Sequence, residues 1–124
     1  MNEKRRILIA DDDNDLRSMS KEIFESEGFE VIEAANGEDA LKLALEEKPD
    51  LVLTDVIMPK MDGVTLMQEL RKDEWGKTVP IIALSNVDSP EGILKAIDSN
   101  VTTYLVKGNW KLEEIVGKVK EKLN

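Results

Sequence analysis

The 124-residue sequence contains no cysteine and no histidine. The lack of cysteine excludes a disulfide framework and thiolate chemistry. The lack of histidine excludes His-ligated metal sites and the Ser-His or Cys-His pairs on which many hydrolases depend. Any chemistry that the protein performs must therefore use carboxylate, hydroxyl or amine groups.

Long apolar runs and an excess of positive charge are also missing. The basic start MNEKRR is followed only by ILIA before a series of aspartates, which is too short for a signal-peptide core. No run approaches the ~18 residues of a membrane span. The 26 acidic and 17 basic residues give a formal net charge of -9, which disfavours nucleic-acid phosphates and anionic membranes. We expect a cytoplasmic protein that binds neither nucleic acid nor membranes directly.

Short apolar runs alternate with helical patterns along the whole chain. Five β-α units in a chain of single-domain size predict one α/β domain over residues 1–124, with a doubly wound parallel sheet and helices on both faces. The run at 29–34 alternates in polarity, as an edge strand does. The predicted strands are 5–10, 29–34, 51–54, 80–84 and 101–106. The clearest helical spacing is that of Leu112, Ile115, Val116, Val119 and Leu123.

Side chains able to do chemistry lie where the predicted strands end. Asp11 and Asp12 follow the first strand, and Asp55 follows the third. Ser85 ends the fourth strand, and Lys107 ends the fifth. Parallel sheets bind ligands outside the carboxyl ends of their strands, so these groups should converge at one rim.

These motifs together resemble a response-regulator receiver domain of two-component signalling, over essentially the whole chain. The resemblance rests on DDD after the first strand, TDVIMPKMDG at the third, ALSN at the fourth and YLVK at the fifth. It implies the flavodoxin-like (βα)5 fold with strand order 2-1-3-4-5, like that of stand-alone chemotaxis regulators. It also implies a protein that catalyses its own phosphorylation and dephosphorylation.

Asp55 is the predicted phosphoacceptor. A carboxylate can attack phosphorus and form an aspartyl phosphate, and Asp55 stands alone at a strand end before a proline turn. Lys107 and Ser85 are expected to donate to the phosphoryl oxygens, because donors aimed there lower the barrier. The backbone N–H groups of Val56 and Asn86 are further expected contacts.

A divalent cation is expected among the acidic residues. Three converging carboxylates would repel one another without one, and a site with oxygen ligands alone favours Mg²⁺ or Mn²⁺. The family resemblance implies that Asp12 and Asp55 bind the metal directly and Asp11 through water. It adds the backbone carbonyl of Ile57 as a ligand.

The family also suggests how a phosphate signal would spread. Ser85 and Tyr104 match its paired switch residues, in which the hydroxyl moves inward and the aromatic ring follows. This coupling would shift populations on a face formed by the fourth helix, the fifth strand and the fifth helix, including parts of 88–98 and 104–115.

Three positions affect how such a site would behave. The family's usual lysine-proline pair is Lys107-Gly108 here, so we expect the loop after the fifth strand to differ. Ile57 and Val87, two residues past the phosphoacceptor and past Ser85, are apolar. Since apolar side chains neither orient nor readily admit the hydrolytic water, we expect slow loss of phosphate.

Other classes of protein share parts of the pattern. Asp11, Asp13, Asp15 and Glu22 match four calcium-ligand positions of an EF-hand loop, but Leu16 stands where that loop needs glycine. Asp13 and Asp15 are better explained as the start of the first helix. A flavodoxin-like cofactor binder lacks an evident Gly-rich or Thr/Ser-rich phosphate loop here. A degenerate receiver that only docks partners is disfavoured, because the phosphoacceptor, lysine and serine are all present.

The expected partner upstream is a histidine kinase or a phosphotransfer protein. We expect no output domain after the last predicted helix, so that the chain would be either a stand-alone regulator or a receiver cut from a longer protein. A monomer and a phosphorylation-dependent dimer both stay open, and the downstream protein target is not specified. Docking is expected on the first helix near Asp13, Asn14, Arg17, Ser18 and Lys21.

Overall fold

A computed structural model describes residues 4–85 and 103–123, with Ser85 described by its backbone alone. The strands are β1 (Arg6–Ala10), β2 (Glu30–Ala34), β3 (Leu51–Asp55), β4 (Ile81–Ser85) and β5 (Thr103–Val106). The helices are α1 (Asn14–Ser26), α2 (Gly37–Glu47), α3 (Gly63–Lys72) and α4 (Leu112–Leu123). Single turns of 3-10 helix form at Trp75–Lys77 and Lys107–Asn109. Our α4 is the fifth helix predicted from the sequence. The fourth predicted helix and residues 101–102 lie outside the described residues.

The five strands form one parallel sheet in the order β2-β1-β3-β4-β5. This order confirms the flavodoxin-like fold that the resemblance implied, with β2 at an edge as its alternating pattern predicted. The register pairs Ala10 with Thr54, and Asp55 with Leu84. The carboxyl ends of β1, β3 and β4 therefore lie side by side, where a doubly wound sheet binds its ligands.

The sheet separates two apolar layers, because each strand directs alternate side chains to opposite faces. Leu8, Val52 and Ile81 pack with α2 and α3 on one face. Ile7 and Ile82 pack with α1 and α4 on the other face. Both faces are covered, which explains why the central strands read as continuous apolar runs.

Three helices begin with a side-chain cap near the rim of the sheet. Asp13 accepts hydrogen bonds from the N–H groups of Asp15 and Leu16, and Asn36 and Asp62 cap α2 and α3 in the same way. The prediction that Asp13 and Asp15 start the first helix is confirmed. Because α1 begins within the stretch that an EF-hand loop would occupy, the calcium-loop alternative does not fit this fold.

Two glycines allow close packing beneath the rim. A Cβ on Gly37 would lie 1.9 Å from the carbonyl oxygen of Met61, and a Cβ on Gly63 would lie 2.2 Å from that of Asp55. Both distances are far below van der Waals contact, so any side chain here would force the backbone apart. The loop between β3 and α3 is thereby held against β3 and α2.

No helix in the described part of the chain is long and apolar enough to span a membrane.

Candidate functional site

Three carboxylates meet at the carboxyl ends of β1 and β3. One oxygen each of Asp11, Asp12 and Asp55 lies within 4.8 Å of the others. Asp11 and Asp55 are both only 6% exposed, whereas Asp12 is exposed to solvent. The predicted convergence of these residues is therefore seen in the structure. They line a cavity of about 290 Å³ that also contacts Ile57 and Lys107.

Lys107 reaches this cluster from the other side of β4. Its Nζ lies 2.7 Å from Oδ1 of Asp55 and 3.6 Å from Oδ2 of Asp11. The lysine begins the 3-10 turn that follows β5, and a Cβ on the adjacent Gly108 would meet no atom of the described residues within 4 Å. Glycine in place of the family's proline is thus compatible with a lysine seated on the carboxylates.

The two buried carboxylates differ in their hydrogen bonding. Oδ1 of Asp11 accepts a hydrogen bond of 2.9 Å from the N–H of Asp13, which fixes its orientation. Oδ1 of Asp55 is buried and has no hydrogen-bond partner of acceptable geometry among the described residues. Its contact with Lys107 is therefore a close ion pair without a well-directed hydrogen bond. This oxygen has capacity left for another partner.

Burial governs the electrostatics of the cluster. Burial, with the neighbouring Asp11 carboxylate adding to it, raises the pKa of Asp55 to about 7, although Lys107 opposes the shift. Burial alone would lower the pKa of Lys107, but attraction by Asp55 and then Asp11 outweighs it and raises that pKa. The lysine stays charged, while the ionised Asp55 carboxylate is costly without a further cation.

This shift predicts a pH-dependent stability for the metal-free protein. Because the folded-state pKa of Asp55 lies above the ordinary aspartate value of 3.8, the contribution of this carboxyl group to stability is fully present below pH 3.8 and is lost as pH rises through about 7. The chain has no histidine or cysteine to titrate nearby. We expect the free energy of unfolding in EDTA, measured by urea denaturation, to fall by a few kcal/mol between about pH 5 and pH 8.

Two comparisons check the assignment of this pH dependence. An Asp55→Asn variant should show a much flatter profile, since its side chain carries no titratable proton. Saturating Mg²⁺ should reverse the trend, because cation binding requires the ionised carboxylate. An equal fall in stability for wild type and Asp55→Asn would contradict the prediction.

The donor set fits a hard divalent cation. The cluster offers carboxylate oxygens and no nitrogen or sulfur ligand, which suits Mg²⁺ or Mn²⁺. Oδ1 of Asp55 has no hydrogen-bond partner among the described residues, and the pKa of this group is raised, so both observations indicate a place for a further positive charge. Asp11, Asp12 and Asp55 are the residues that could hold the ion.

The remaining predicted site residues differ in exposure and in their contacts, and some of them lie outside the described residues. Ile57 is 72% exposed at the mouth of the cavity, and the N–H of Val56 donates to the carbonyl of Leu84 at 3.0 Å. A phosphate contact from Val56 stays a prediction and would require that bond to be shared or released. Tyr104 is half-buried against the layer formed with α2 and α3. The side chain of Ser85, together with Asn86, Val87 and 88–98, lies outside the described residues.

Sequence reasoning missed one contact at the rim. Arg17 was predicted only as part of a docking surface, yet its guanidinium donates to the backbone carbonyl of Asp11 at 2.7 Å. A signal was present, because the residue lies one turn after the cap of α1 and helical side chains lean toward the N-terminus. The contact itself depends on the tertiary position of β2 and could not be derived from spacing.

Comparison with known proteins agrees with this fold and geometry. The sequence model of the family described as "Response regulator receiver domain" matches residues 7–120. The chain is 33% identical over 115 residues to the DNA-binding dual master transcriptional regulator RpaA of Synechocystis, covering 93% of this chain and 47% of that protein. The chain spans less than half the length of this and the other similar curated relatives.

Solved structures show the same likeness. A CheY-like response regulator receiver domain protein from Methanospirillum hungatei has a TM-score of 0.88 at 30% identity, over 98% of this chain and 94% of that one. The chemotaxis response regulator CheY4 of Vibrio cholerae has a TM-score of 0.86 at 28% identity, over 96% and 98% of the chains. With the sheet order and the acidic rim, these matches establish that the chain belongs to the response-regulator receiver domain family of two-component signalling.

Proposed function

We propose that the protein accepts a phosphoryl group on Asp55 and acts as the phosphorylation switch of a two-component pathway. The observation that carries this proposal is the ammonium of Lys107, 2.7 Å from a buried oxygen of Asp55 and 3.6 Å from Oδ2 of Asp11. A buried ion pair is rarely the most stable way to fill a site, since apolar residues of similar volume often do better. Such a costly arrangement at a ligand-binding rim favours a chemical role.

The transfer step follows from the groups at the rim. A carboxylate oxygen of Asp55 attacks the phosphorus, and the new O–P bond forms as the P–N bond of a phosphohistidine breaks. The leaving imidazole nitrogen keeps the electron pair of that bond. Lys107 would donate to the phosphoryl oxygens as their charge spreads, and Ser85 at the end of β4 is the proposed hydroxyl donor. The backbone N–H groups of Val56 and Asn86 are proposed as further contacts.

A bound Mg²⁺ or Mn²⁺ would neutralise charge on the phosphoryl oxygens and on the cluster itself. Its proposed ligands are Asp12, Asp55 and the carbonyl of Ile57, with Asp11 acting through water. Asp11 is oriented for this task by the N–H of Asp13, and Asp12 is open to solvent, from which the ion would enter.

The phosphodonor proposed for this receiver is a histidine kinase or a phosphotransfer protein. Its phosphohistidine must approach the rim beside α1, whose first turn borders the cavity of the acidic cluster. We propose that the signal leaves through β5 and its neighbouring helices, with Ser85 and Tyr104 as the switch pair. The proposed docking residues on and before α1 are Asp13, Asn14, Arg17, Ser18 and Lys21.

Incubation with a small phosphodonor tests the proposal. The intact mass of the protein is recorded after treatment with acetyl phosphate, with and without Mg²⁺. One added phosphoryl group that requires Mg²⁺ supports the proposed function. A folded, Mg²⁺-binding protein that gains no phosphate would overturn it and leave a phosphorylation-independent docking module.

Ile57 provides a test of phosphate lifetime. Its exposed apolar side chain lies at the mouth of the cavity, where a water that hydrolyses the aspartyl phosphate must pass. We expect Ile57→Asn to shorten the phosphate half-life several-fold, because an amide can hold that water in place. Met19→Asn is the matched control, since Met19 is 54% exposed but does not line this cavity. Equal half-lives for wild type and Ile57→Asn would disprove this role.

A further inference from the structure

We infer that Arg17 is a positioning residue that holds the peptide between Asp11 and Asp12 in the orientation needed to bind the cation. The inference rests on the proposed function, since it concerns the metal site of that reaction. It assigns to the first helix a task inside the site, in addition to its place on the surface that the phosphodonor would approach.

The contacts of Arg17 join three parts of the molecule. One terminal nitrogen donates to the carbonyl of Asp11 at 2.7 Å, and the other donates to Oδ1 of Asn14 at 2.7 Å. Nε donates to Oε1 of Glu33 on β2 at 3.2 Å. The side chain is only 14% exposed, so these contacts are partly shielded from water. A guanidinium holds several acceptors at once because its donors form a rigid, planar fork.

The hydrogen bond to the carbonyl of Asp11 also affects the position of the next residue, Asp12. The peptide bond is planar, so the position of this oxygen also fixes the N–H of Asp12 and the start of its backbone. Asp12 is the one exposed carboxylate of the cluster, and its side chain makes no hydrogen bond or ion pair with the described residues. The direction in which the Asp12 side chain projects from the backbone therefore depends on the orientation of this peptide.

Glu33 orients the guanidinium in turn. It receives the Nε bond of Arg17 and lies 3.7 Å from Nζ of Lys21, so two cations hold this carboxylate on the edge strand. The chain of contacts runs from the edge of the sheet through Arg17 to the Asp11–Asp12 peptide. The side chain of Glu33 is 32% exposed and that of Lys21 is 40% exposed, and ion pairs whose carboxylate reaches solvent contribute little to global stability, which makes a local, positioning role the better account.

An effect of Arg17 through its charge and an effect through its hydrogen bonds predict opposite changes in Mg²⁺ affinity when the residue is replaced. If Arg17 acted only as a nearby positive charge, its removal would make the cluster more negative and tighten Mg²⁺ binding. If it positions the peptide, its removal weakens binding despite the favourable change in charge. Arg17→Lys keeps the charge and loses the fork, whereas Arg17→Met loses both, so the pair of variants separates the two explanations.

Arg6 offers a matched control at the other end of β1. Its guanidinium donates to the carbonyl of Glu47 at 2.8 Å and to Oε1 of the same residue at 2.8 Å. It therefore makes the same two kinds of bond as Arg17, to one backbone carbonyl and one glutamate. Because Arg6 begins the strand whose far end carries Asp11, Arg6→Met removes similar contacts without touching the cluster.

Mg²⁺ affinity is the quantity to measure. Mg²⁺ is titrated into wild type and the three variants, Arg17→Lys, Arg17→Met and Arg6→Met, by isothermal titration calorimetry, and urea unfolding in EDTA reports how much of each protein is folded. We expect both Arg17 variants to bind Mg²⁺ about 10- to 100-fold more weakly, as is typical for residues that orient metal ligands. Arg6→Met should bind as wild type does.

The other possible results of this titration would contradict either the positioning role of Arg17 or the proposed function. Wild-type or tighter affinity in folded Arg17→Met would overturn the positioning role and leave the proposed phosphoacceptor function standing. An equal loss of affinity in Arg6→Met would show a general loss of structure instead of positioning. A folded wild type that binds no Mg²⁺ would defeat the proposed metal-dependent function and this inference with it. If both Arg17 variants fail to fold, Glu33→Met is the substitute test, since it removes the acceptor of the Nε hydrogen bond and should weaken Mg²⁺ binding several-fold.

Discussion

An Asp55→Asn protein is expected to gain no phosphate from acetyl phosphate, at any Mg²⁺ concentration. The substitution keeps the size of the side chain but removes the oxygen that can form the O–P bond, since a neutral amide is a poor nucleophile toward phosphorus. It also removes one of the three carboxylates of the cluster, so Mg²⁺ should bind more weakly. The fold should survive, because the variant no longer carries an ionised carboxylate in a buried position.

Intact-mass measurement with a matched aspartate variant checks this expectation. Asp13→Asn changes a nearby residue that caps α1, and asparagine caps a helix as well as aspartate does. It should take up one phosphoryl group, like the wild type. Phosphate on folded Asp55→Asn would show that another side chain is the acceptor, and peptide mapping of that adduct would identify it.

A Lys107→Met protein is expected to be phosphorylated about 10²- to 10³-fold more slowly than wild type, the typical effect of removing one donor to a developing charge. Methionine keeps much of the apolar stem of lysine and removes the ammonium that lies 2.7 Å from Asp55. The loss should fall on the transfer step, because the three carboxylates that would bind Mg²⁺ are unchanged. Mg²⁺ affinity should hold or rise as a competing positive charge leaves the cluster.

The rate of phosphate uptake at saturating Mg²⁺ separates these effects. Lys111→Met is the control, since Lys111 is an exposed lysine four residues further along the same segment. It should be phosphorylated at the wild-type rate. A Lys107→Met protein that reacts as fast as Lys111→Met would remove Lys107 from the proposed mechanism, whatever the distance between its ammonium and Asp55.

Much of the fold could be predicted because each local pattern had one dominant cause. The runs RRILIA and LVLT indicated strands buried on both faces, and they form β1 and β3 within one residue of the predicted bounds. The meeting of Asp11, Asp55 and Lys107 followed from the rule that parallel strands end at one rim. The order of the strands came from the family resemblance, since several orders satisfy the same alternation of elements.

Other features depend on tertiary packing and left no periodic signal. The 3-10 turn at Trp75–Lys77 is too short to produce one. The close approach of Gly63 to the carbonyl of Asp55 could not be predicted, because an Asp-Gly pair indicates a turn but does not indicate which backbone atoms pack against that turn. The bond from Arg17 to Asp11 requires a particular rotamer and the neighbouring edge strand, neither of which a one-dimensional pattern specifies.

The division of the interior by the sheet has a consequence for how such a protein can evolve. Phe24 and Val119 belong to one layer, and Leu66 and Met67 belong to the other, so the two sets meet different neighbours. A volume change in one layer can be compensated within that layer, because substitutions without shared contacts are close to independent. The helices on either face can therefore drift in sequence separately while the rim between them keeps its carboxylates and its lysine.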